Sequence, residues 1–245
     1  MATATEDWPS LDALKPAEFL DAMKTDWNGV YLLGSLNRRI TVHSQQCRAI
    51  NLIQALENPG GGLTGKHLAI VGAGFAGLTA AAYALEKTNA DITLFDAAPR
   101  PLWLQDSCRN RWLHPGIYDW PLPGSLEPRT NLPVLNWHAG SARNVARQVR
   151  SEWDRIAATK AALKLLLERQ VVDIKADTGP NGANPRVVIA DGSEAAFDIV
   201  ILAVGFGVEK YDPKQIGNPD QEDDPKHIGY WNDADGLDGS HVWLV

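Results

Sequence analysis

The stretch from Gly65 to Asp96 constrains the fold of this chain most, because closely spaced glycines separate an apolar run from an alanine-rich run. His67 to Val71 is predicted to form a short buried strand, and Leu78 to Lys87 is predicted to form the helix after it. Asp91 to Phe95 predicts a second strand that ends at Asp96. This order of strand, glycine turn, helix and strand predicts a parallel βαβ unit.

The glycines of this unit have the spacing of a dinucleotide-binding turn. Gly72 allows a tight turn, Gly74 lets the backbone approach a pyrophosphate, and Gly77 lets the helix pack closely on the strand. Asp96 follows at the distance where a carboxylate accepts hydrogen bonds from an adenosine ribose. A purely structural glycine turn is the alternative. The predicted contacts to a dinucleotide in this unit are Gly72, Ala73, Gly74, Phe75, Ala76, Gly77, Asp96 and Ala97.

Composition argues against several classes of partner. The net charge of −7 and the pI near 5.3 disfavour a nucleic-acid or anionic-membrane surface, since both need a basic field. The sequence has no apolar run near the roughly 20 residues of a spanning helix and no signal-peptide pattern at its acidic N-terminus, so a cytoplasmic location is expected.

Cys47 is expected in the core and Cys108 at the surface. No residue spacing predicts a metal site.

The segment before the glycine unit is expected to form a helical cap. Ser44 to Glu57 predicts a helix with Ser44 as its N-cap, and an Asn-Pro-Gly-Gly-Gly run ends it. Arg38, Arg39 and Gln45 could contact a ligand from this cap, and a solvated surface is the alternative reading.

An unusual tryptophan-rich segment extends from Leu102 to Trp137. Five prolines between Pro115 and Pro133 exclude a long helix or a central strand there, and the aromatic side chains argue against disorder. We expect an ordered loop over the cofactor site or at an interface. The candidates for substrate contact in this loop, which could equally be structural hydrogen-bonding groups, are His114, Tyr118 and Asp119.

The remaining chain predicts one helix and several strands. Ser141 to Gln170 is expected to form a long helix with a solvated row of arginines. Val171 to Ala176 and Arg186 to Ala190 predict a pair of strands joined by a turn. Phe197 to Gly207 predicts a buried apolar strand that stops at glycine, a second place where the backbone could approach a ligand.

These features together resemble the flavoprotein oxidoreductases that bind FAD in a two-part Rossmann-like domain. The glycine motif with Ala81 and Ala84 is similar to their fingerprint, although Asp96 stands where that family most often has Glu. Arg100 is similar to an arginine that these proteins often place near the adenine. The apolar strand ending in Ala203, Val204 and Gly205 is similar to their second, Ala-Thr-Gly signature, and the strand pair between the two signatures resembles their β-meander.

The resemblance implies an α/β fold, namely a Rossmann-like FAD/NAD(P)-binding domain with a parallel sheet, an inserted β-meander and an N-terminal helical cap. The expected division is a cap and linker over residues 1–64 and the binding domain over residues 65–245. In the family a later strand ends in Gly-Asp and holds the ribityl chain. Val242 to Val245 looks like that strand, but no Gly-Asp follows, so the sequence is expected to be the N-terminal part of a longer protein.

Three functions are compatible with the sequence. The first is an FAD-binding oxidoreductase that acts on a small molecule and uses the flavin for hydride or oxygen chemistry. The second is an NAD-dependent dehydrogenase, in which Asp96 would prefer a ribose 2′-hydroxyl to a 2′-phosphate. The third is a non-catalytic dinucleotide-binding module whose tryptophan-rich loop docks a protein partner or a second copy.

Overall fold

The computed structural model describes residues 15–34, 40–58, 62–106, 108, 110–177 and 182–205. The helices are α1 Pro16–Met23, α2 Val42–Glu57, α3 Phe75–Lys87, α4 Trp103–Asp106 and α5 Ala142–Ala157. The strands are β1 Val30–Leu32, β2 His67–Val71, β3 Asp91–Phe95, β4 Trp112–Leu113, β5 Gly140–Ser141, β6 Leu163–Leu166, β7 Val171–Lys175, β8 Arg186–Ile189, β9 Glu194–Ala196 and β10 Ile199–Leu202. A five-stranded parallel sheet in the order β1-β10-β2-β3-β6 forms the centre.

Two layers cover this sheet. Side chains such as Ile70 and Ile92 join a core with α2, α3 and α5. Ala69 and Val71, on either side of Ile70 in β2, point to the other face, where they join a second core with β8 and Phe197. The antiparallel sheet β7-β8-β9 lies on that second face and confirms the predicted meander.

The predicted bounds of β2 and β3 are confirmed, but α3 begins earlier than expected. The sequence placed its start at Leu78, beyond the last glycine, because glycine disfavours a helix interior. The helix instead begins at Phe75, directly after its N-cap Gly74, and includes Gly77 in its first turn. A Cβ at Gly77 would lie 1.8 Å from the carbonyl oxygen of Gly72, so close packing outweighs helix propensity at this position.

The long helix predicted over Ser141 to Gln170 is wrong. The helix ends at Ala157, and Leu163–Leu166 forms the edge strand β6 parallel to β3. The N–H of Ile92 donates to the carbonyl of Ala162 over 2.8 Å, and the N–H of Asp96 donates to the carbonyl of Leu166 over 3.0 Å. The periodicity of so short an apolar run is compatible with either a strand or a helix. The hydrogen bonds to β3 make residues 163–166 a strand.

The N-terminal segment contributes a strand as well as helices. Val30–Leu32 pairs in parallel with β10, with Val30 opposite Val200. Helix α2 starts at Val42 with Thr41 as its N-cap, so the predicted cap at Ser44 is wrong. The Thr41 Oγ1 accepts from the N–H of Ser44, the Ser44 Oγ accepts from the N–H of Thr41, and both distances are 2.9 Å. The division of the chain at residue 64 stays a prediction.

The tryptophan-rich segment contains only short regular elements in its described residues. Trp137 belongs to the core with 2% exposure, whereas Trp112 and Trp120 are exposed. Cys108 is buried, so its predicted surface position is wrong. Cys47, expected in the core, is only half-buried.

Two parts of the sequence prediction lie outside the described residues. These are the possible ligand contacts of Arg38 and Arg39 and the strand predicted over Val242 to Val245. Over the described ranges, no helix combines the length and the apolar character needed to cross a membrane.

A buried amide connects α2, α3 and the end of the tryptophan-rich segment. The Gln46 side chain is fully buried, and its Oε1 accepts from the indole N–H of Trp137 over 2.7 Å. Its Nε2 donates to the Oγ1 of Thr79 and to the carbonyl of Leu135, both over 3.1 Å. The side-chain oxygen and nitrogen of Gln46 therefore both have partners inside the core.

Replacing Gln46 with Leu should destabilise the fold, because the Trp137 indole N–H and the Leu135 carbonyl would remain buried without a partner. We expect a loss of about 2 kcal/mol or more in the free energy of unfolding, measured by urea denaturation. In a W137F background the same change should lower the free energy of unfolding by about 1 kcal/mol less, because the indole N–H that would be left without a partner is no longer present. An equal cost in both backgrounds would contradict the bond to Trp137.

Candidate dinucleotide-binding site

The glycine turn after β2 touches the end of β10. Gly72 has a φ of 106°, and a Cβ on it would lie 2.4 Å from the carbonyl oxygen of Ala203. The N–H of Ala203 donates to the carbonyl of Val71 over 2.8 Å, and the N–H of Gly72 donates to the carbonyl of Phe95 over 2.8 Å. The structure therefore brings together the two sequence signatures, which are more than a hundred residues apart.

This meeting point is where the strand order of the sheet reverses. From β2 the chain continues to β3 on one side, while β10 lies on the other side. All these strands are parallel, so their carboxyl ends lie at one edge. Ligands of open α/β sheets bind in the crevice outside the carboxyl ends at such a switch point.

The N-terminus of α3 opens onto this edge without a side-chain cap. Gly74 is the N-cap residue, and a Cβ on it would have no atom within 4 Å. The N–H of Leu78 makes the first helical bond, to the carbonyl of Gly74 over 2.9 Å. The N–H groups of Phe75, Ala76 and Gly77 precede it and have no acceptor within the helix. This arrangement suits a phosphate, which the helix dipole also favours.

Capping distinguishes α3 from the two other helices that connect strands of the sheet. Thr41 caps α2, and the Oγ of Ser141 accepts from the N–H of Asn144 at the start of α5 over 3.3 Å. Gly74 has no side chain with which to do the same. Among these three helices, only α3 has no N-cap side chain that accepts from an N–H group of its first turn.

The Asp96 carboxylate supports the glycine turn from the end of β3. Its Oδ2 accepts from the N–H of Ala73, and its Oδ1 accepts from the N–H of Ala98 over 2.7 Å. Burial raises the pKa of Asp96, and the two backbone hydrogen bonds offset this only in part. The carboxylate therefore lies beside the turn, with lone pairs beyond these two bonds available to a ribose hydroxyl. The neighbouring Ala97 is exposed.

Arg100 is held by a cluster that the sequence did not reveal. Its Nη2 lies 2.7 Å from the Oδ2 of Asp106, and its guanidinium lies 4.5 Å from the centre of the Trp103 ring. The Nη2 of Arg150, on α5, lies 3.0 Å from the Oδ1 of Asp106. Just after Arg100, the N–H of Leu102 donates to the carbonyl of Ala73 over 3.0 Å, which ties this cluster to the glycine turn.

The other predicted site residues lie at the end of β10 and in the tryptophan-rich segment. Val204 is exposed, and Gly205 has a φ of 74°. The Nδ1 of His114 accepts from the N–H of Gly116 over 3.2 Å. Tyr118 and Asp119 are exposed on the same loop. Their proposed contact with a substrate stays a prediction.

The residues present fit a dinucleotide at this edge. An uncapped helix N-terminus, an open Gly74 and a carboxylate beside the turn supply what a diphosphate and a ribose require. Sequence reasoning missed Leu102 and Asp106, because their contacts with Ala73 and Arg150 join segments that are distant in the chain. The only available signal was their place in the loop directly after β3.

One family of known proteins matches most of this chain. The sequence profile of the pyridine nucleotide-disulphide oxidoreductase family matches residues 66–238, more than two thirds of the chain. No curated protein matches the sequence. Similar solved structures include a ferredoxin reductase from Rhodopseudomonas palustris, with 20% identity, a TM-score of 0.35 and coverage of 63% of this chain and 26% of that one.

Two further solved structures are similar to this chain. An NAD-dependent persulfide reductase from A. fulgidus has 18% identity and a TM-score of 0.36, and the match covers 73% of this chain and 22% of that one. An FAD-dependent pyridine nucleotide-disulphide oxidoreductase from Desulfovibrio vulgaris has 17% identity and a TM-score of 0.37, with coverage of 73% and 30%. The chain thus corresponds to less than a third of the length of these structures.

Replacing Asp96 with Asn should remove one pH-dependent term from the stability of the ligand-free protein. Because the folded pKa of Asp96 is raised, its contribution is full below the unfolded pKa and is lost as pH rises through the folded pKa. Wild type should therefore lose more unfolding free energy than D96N as pH rises from about 4, near the unfolded pKa, towards 7. Urea denaturation at a series of pH values measures this.

A matched control for this prediction is D198N. The N–H of His67 lowers the pKa of Asp198, so its contribution is present above the unfolded pKa and is lost as pH falls. Wild type should therefore lose more unfolding free energy than D198N as pH falls, whereas it should lose more than D96N as pH rises. The same pH dependence in wild type and D96N would contradict the prediction for Asp96.

Proposed function

Because this chain belongs to the pyridine nucleotide-disulphide oxidoreductase family, whose enzymes use FAD and NAD(P), we propose that it binds FAD at the glycine turn and forms part of a flavin-dependent oxidoreductase. The observation that carries this proposal is the uncapped N-terminus of α3 at the switch point of the sheet. When bound, FAD would supply the hydride or electron transfer. The proposed substrate of this oxidoreductase is a small redox-active molecule.

Different residues of the chain would bind the diphosphate, the ribose and the adenine of the dinucleotide. The N–H groups at the start of α3 would hold the diphosphate, and Asp96 would accept hydrogen bonds from the ribose. The backbone from Ala203 to Gly205 would line the crevice beside the turn. Arg100 would lie near the adenine, with Asp106 and Trp103 fixing its guanidinium.

A second candidate is binding of NAD to the same turn. Asp96 favours it, because a carboxylate accepts from a ribose 2′-hydroxyl and repels a 2′-phosphate. NADP would then bind more weakly than NAD. His114, Tyr118 and Asp119 stay candidates for substrate contact with either cofactor, and the exposed tryptophans of their loop support a role in docking a protein partner or a second copy.

Replacing Gly74 with Asp should weaken FAD binding strongly while leaving the fold intact. The added side chain would enter open space, and an Asp at the N-cap accepts from the first N–H groups of the helix. It would thereby occupy the donors for the diphosphate and add a negative charge beside it. We expect an FAD affinity at least about tenfold lower than that of wild type, measured by quenching of flavin fluorescence.

The matched control is Gly74→Ala, which adds a Cβ at the same position but neither a negative charge nor an oxygen that could cap the helix. Its thermal midpoint should lie within about 2 °C of wild type, whereas that of G74D should be equal or higher. If G74D folds and retains wild-type affinity for FAD, the proposed site is wrong. Uptake of NAD without uptake of FAD by wild type would favour the second candidate.

A further inference from the structure

The N-terminal unit formed by β1 and α2 reaches the same edge of the sheet as the glycine turn. β1 is parallel to β10, and the N–H of Leu33 donates to the carbonyl of Leu202 over 2.8 Å, so β1 ends beside the end of β10. Helix α2 then leads back to the start of β2. Its first turns therefore lie near the carboxyl edge, where the dinucleotide is proposed to bind.

Contacts between the two helices confirm this direction. Gln46 on α2 bonds Thr79 on α3, and Gln54 further along α2 bonds the hydroxyl of Tyr83 over 2.7 Å. Both helices thus run the same way. The hydroxyl of Thr79 donates to the carbonyl of Phe75, the first residue of α3, over 2.7 Å. Gln46 therefore lies about one turn from the open N-terminus of α3.

Gln45, the neighbour of Gln46 in the first turns of α2, has a buried side-chain donor without a partner among the described residues. Its side chain is 8% exposed, and its Nε2 has no hydrogen-bond partner among the described residues. It lies on the same side of α2 as Ala49 and Leu52, which are fully buried, so it points into the protein. Arg48 brings a buried guanidinium to that side one turn later. Buried amide donors normally have a partner, so this one indicates an acceptor supplied by a ligand.

We infer that the N-terminal unit forms a second wall of the dinucleotide site and that the Nε2 of Gln45 donates to an oxygen of the phosphate–ribityl chain of FAD. The inference rests on the proposed function. It concerns a residue that precedes residues 66–238, the part of the chain matched by the family profile. The positive charge of Arg48 suits the same anionic ligand.

The experiment compares FAD binding and stability in wild type and Gln45→Met, which keeps the length of the side chain and removes its polar atoms. The probe is FAD, titrated into the ligand-free full chain by fluorescence quenching, with a thermal melt of each ligand-free protein. Q45M should bind FAD about tenfold more weakly, because its hydrogen bond to the phosphate–ribityl chain is lost. Its ligand-free thermal midpoint should be unchanged or higher, because an unsatisfied buried donor has been removed.

Gln54→Met is the matched control, since Gln54 is exposed on the same helix, far from the edge. Q54M should bind FAD as wild type does. An unchanged affinity in Q45M, a lowered thermal midpoint of ligand-free Q45M, or an equal loss of affinity in Q54M would each overturn the inference while leaving the proposed function standing. Absence of FAD binding in wild type would overturn both.

Discussion

The structure depends on one close backbone contact, between Gly72 at the end of β2 and the carbonyl of Ala203 at the end of β10. No side chain fits between them, since a Cβ on Gly72 would lie 2.4 Å from that oxygen. The contact requires the positive φ of Gly72, which glycine adopts at low cost. Because the turn is so tight, α3 begins only three residues later, and its open N-terminus faces the edge of the sheet.

Polar contacts then fix the elements around this turn. Asp96 accepts from Ala73 within the turn, and Leu102 donates to the same residue from the next loop. Further out, the hydrogen bonds of Gln46 join α2 to α3 and to Trp137. The loop near Trp137 is held also from α5, since the Glu152 carboxylate accepts from the N–H groups of Leu135 and Asn136. The position of the N-terminal segment thus follows from buried polar groups as well as from apolar packing.

The sequence predicted those parts of the fold that depend on local spacing. The bounds of β2 and β3 and the place of the glycine turn were correct, because strand length and glycine positions are visible within a short window. Leu163 to Leu166 was misassigned to a helix, because only its pairing with β3 makes it a strand. The burial of Gln45 was missed for a similar reason, since nothing around it in the sequence reveals how α2 packs on its neighbours.

The parallel strands and the N-cap residues together explain why one helix N-terminus is suited to a phosphate. The strands β1, β2, β3 and β6 are all parallel, so the helices α2, α3 and α5, which lie in the connections between them, begin at the carboxyl edge of the sheet. Each helix start concentrates a partial positive charge there. Thr41 and Ser141 each accept from one N–H group of the helix that they cap, whereas Gly74 has no side chain with which to do so. The choice of N-cap residue thus favours the start of α3 over the starts of α2 and α5 for the anion in the proposed function.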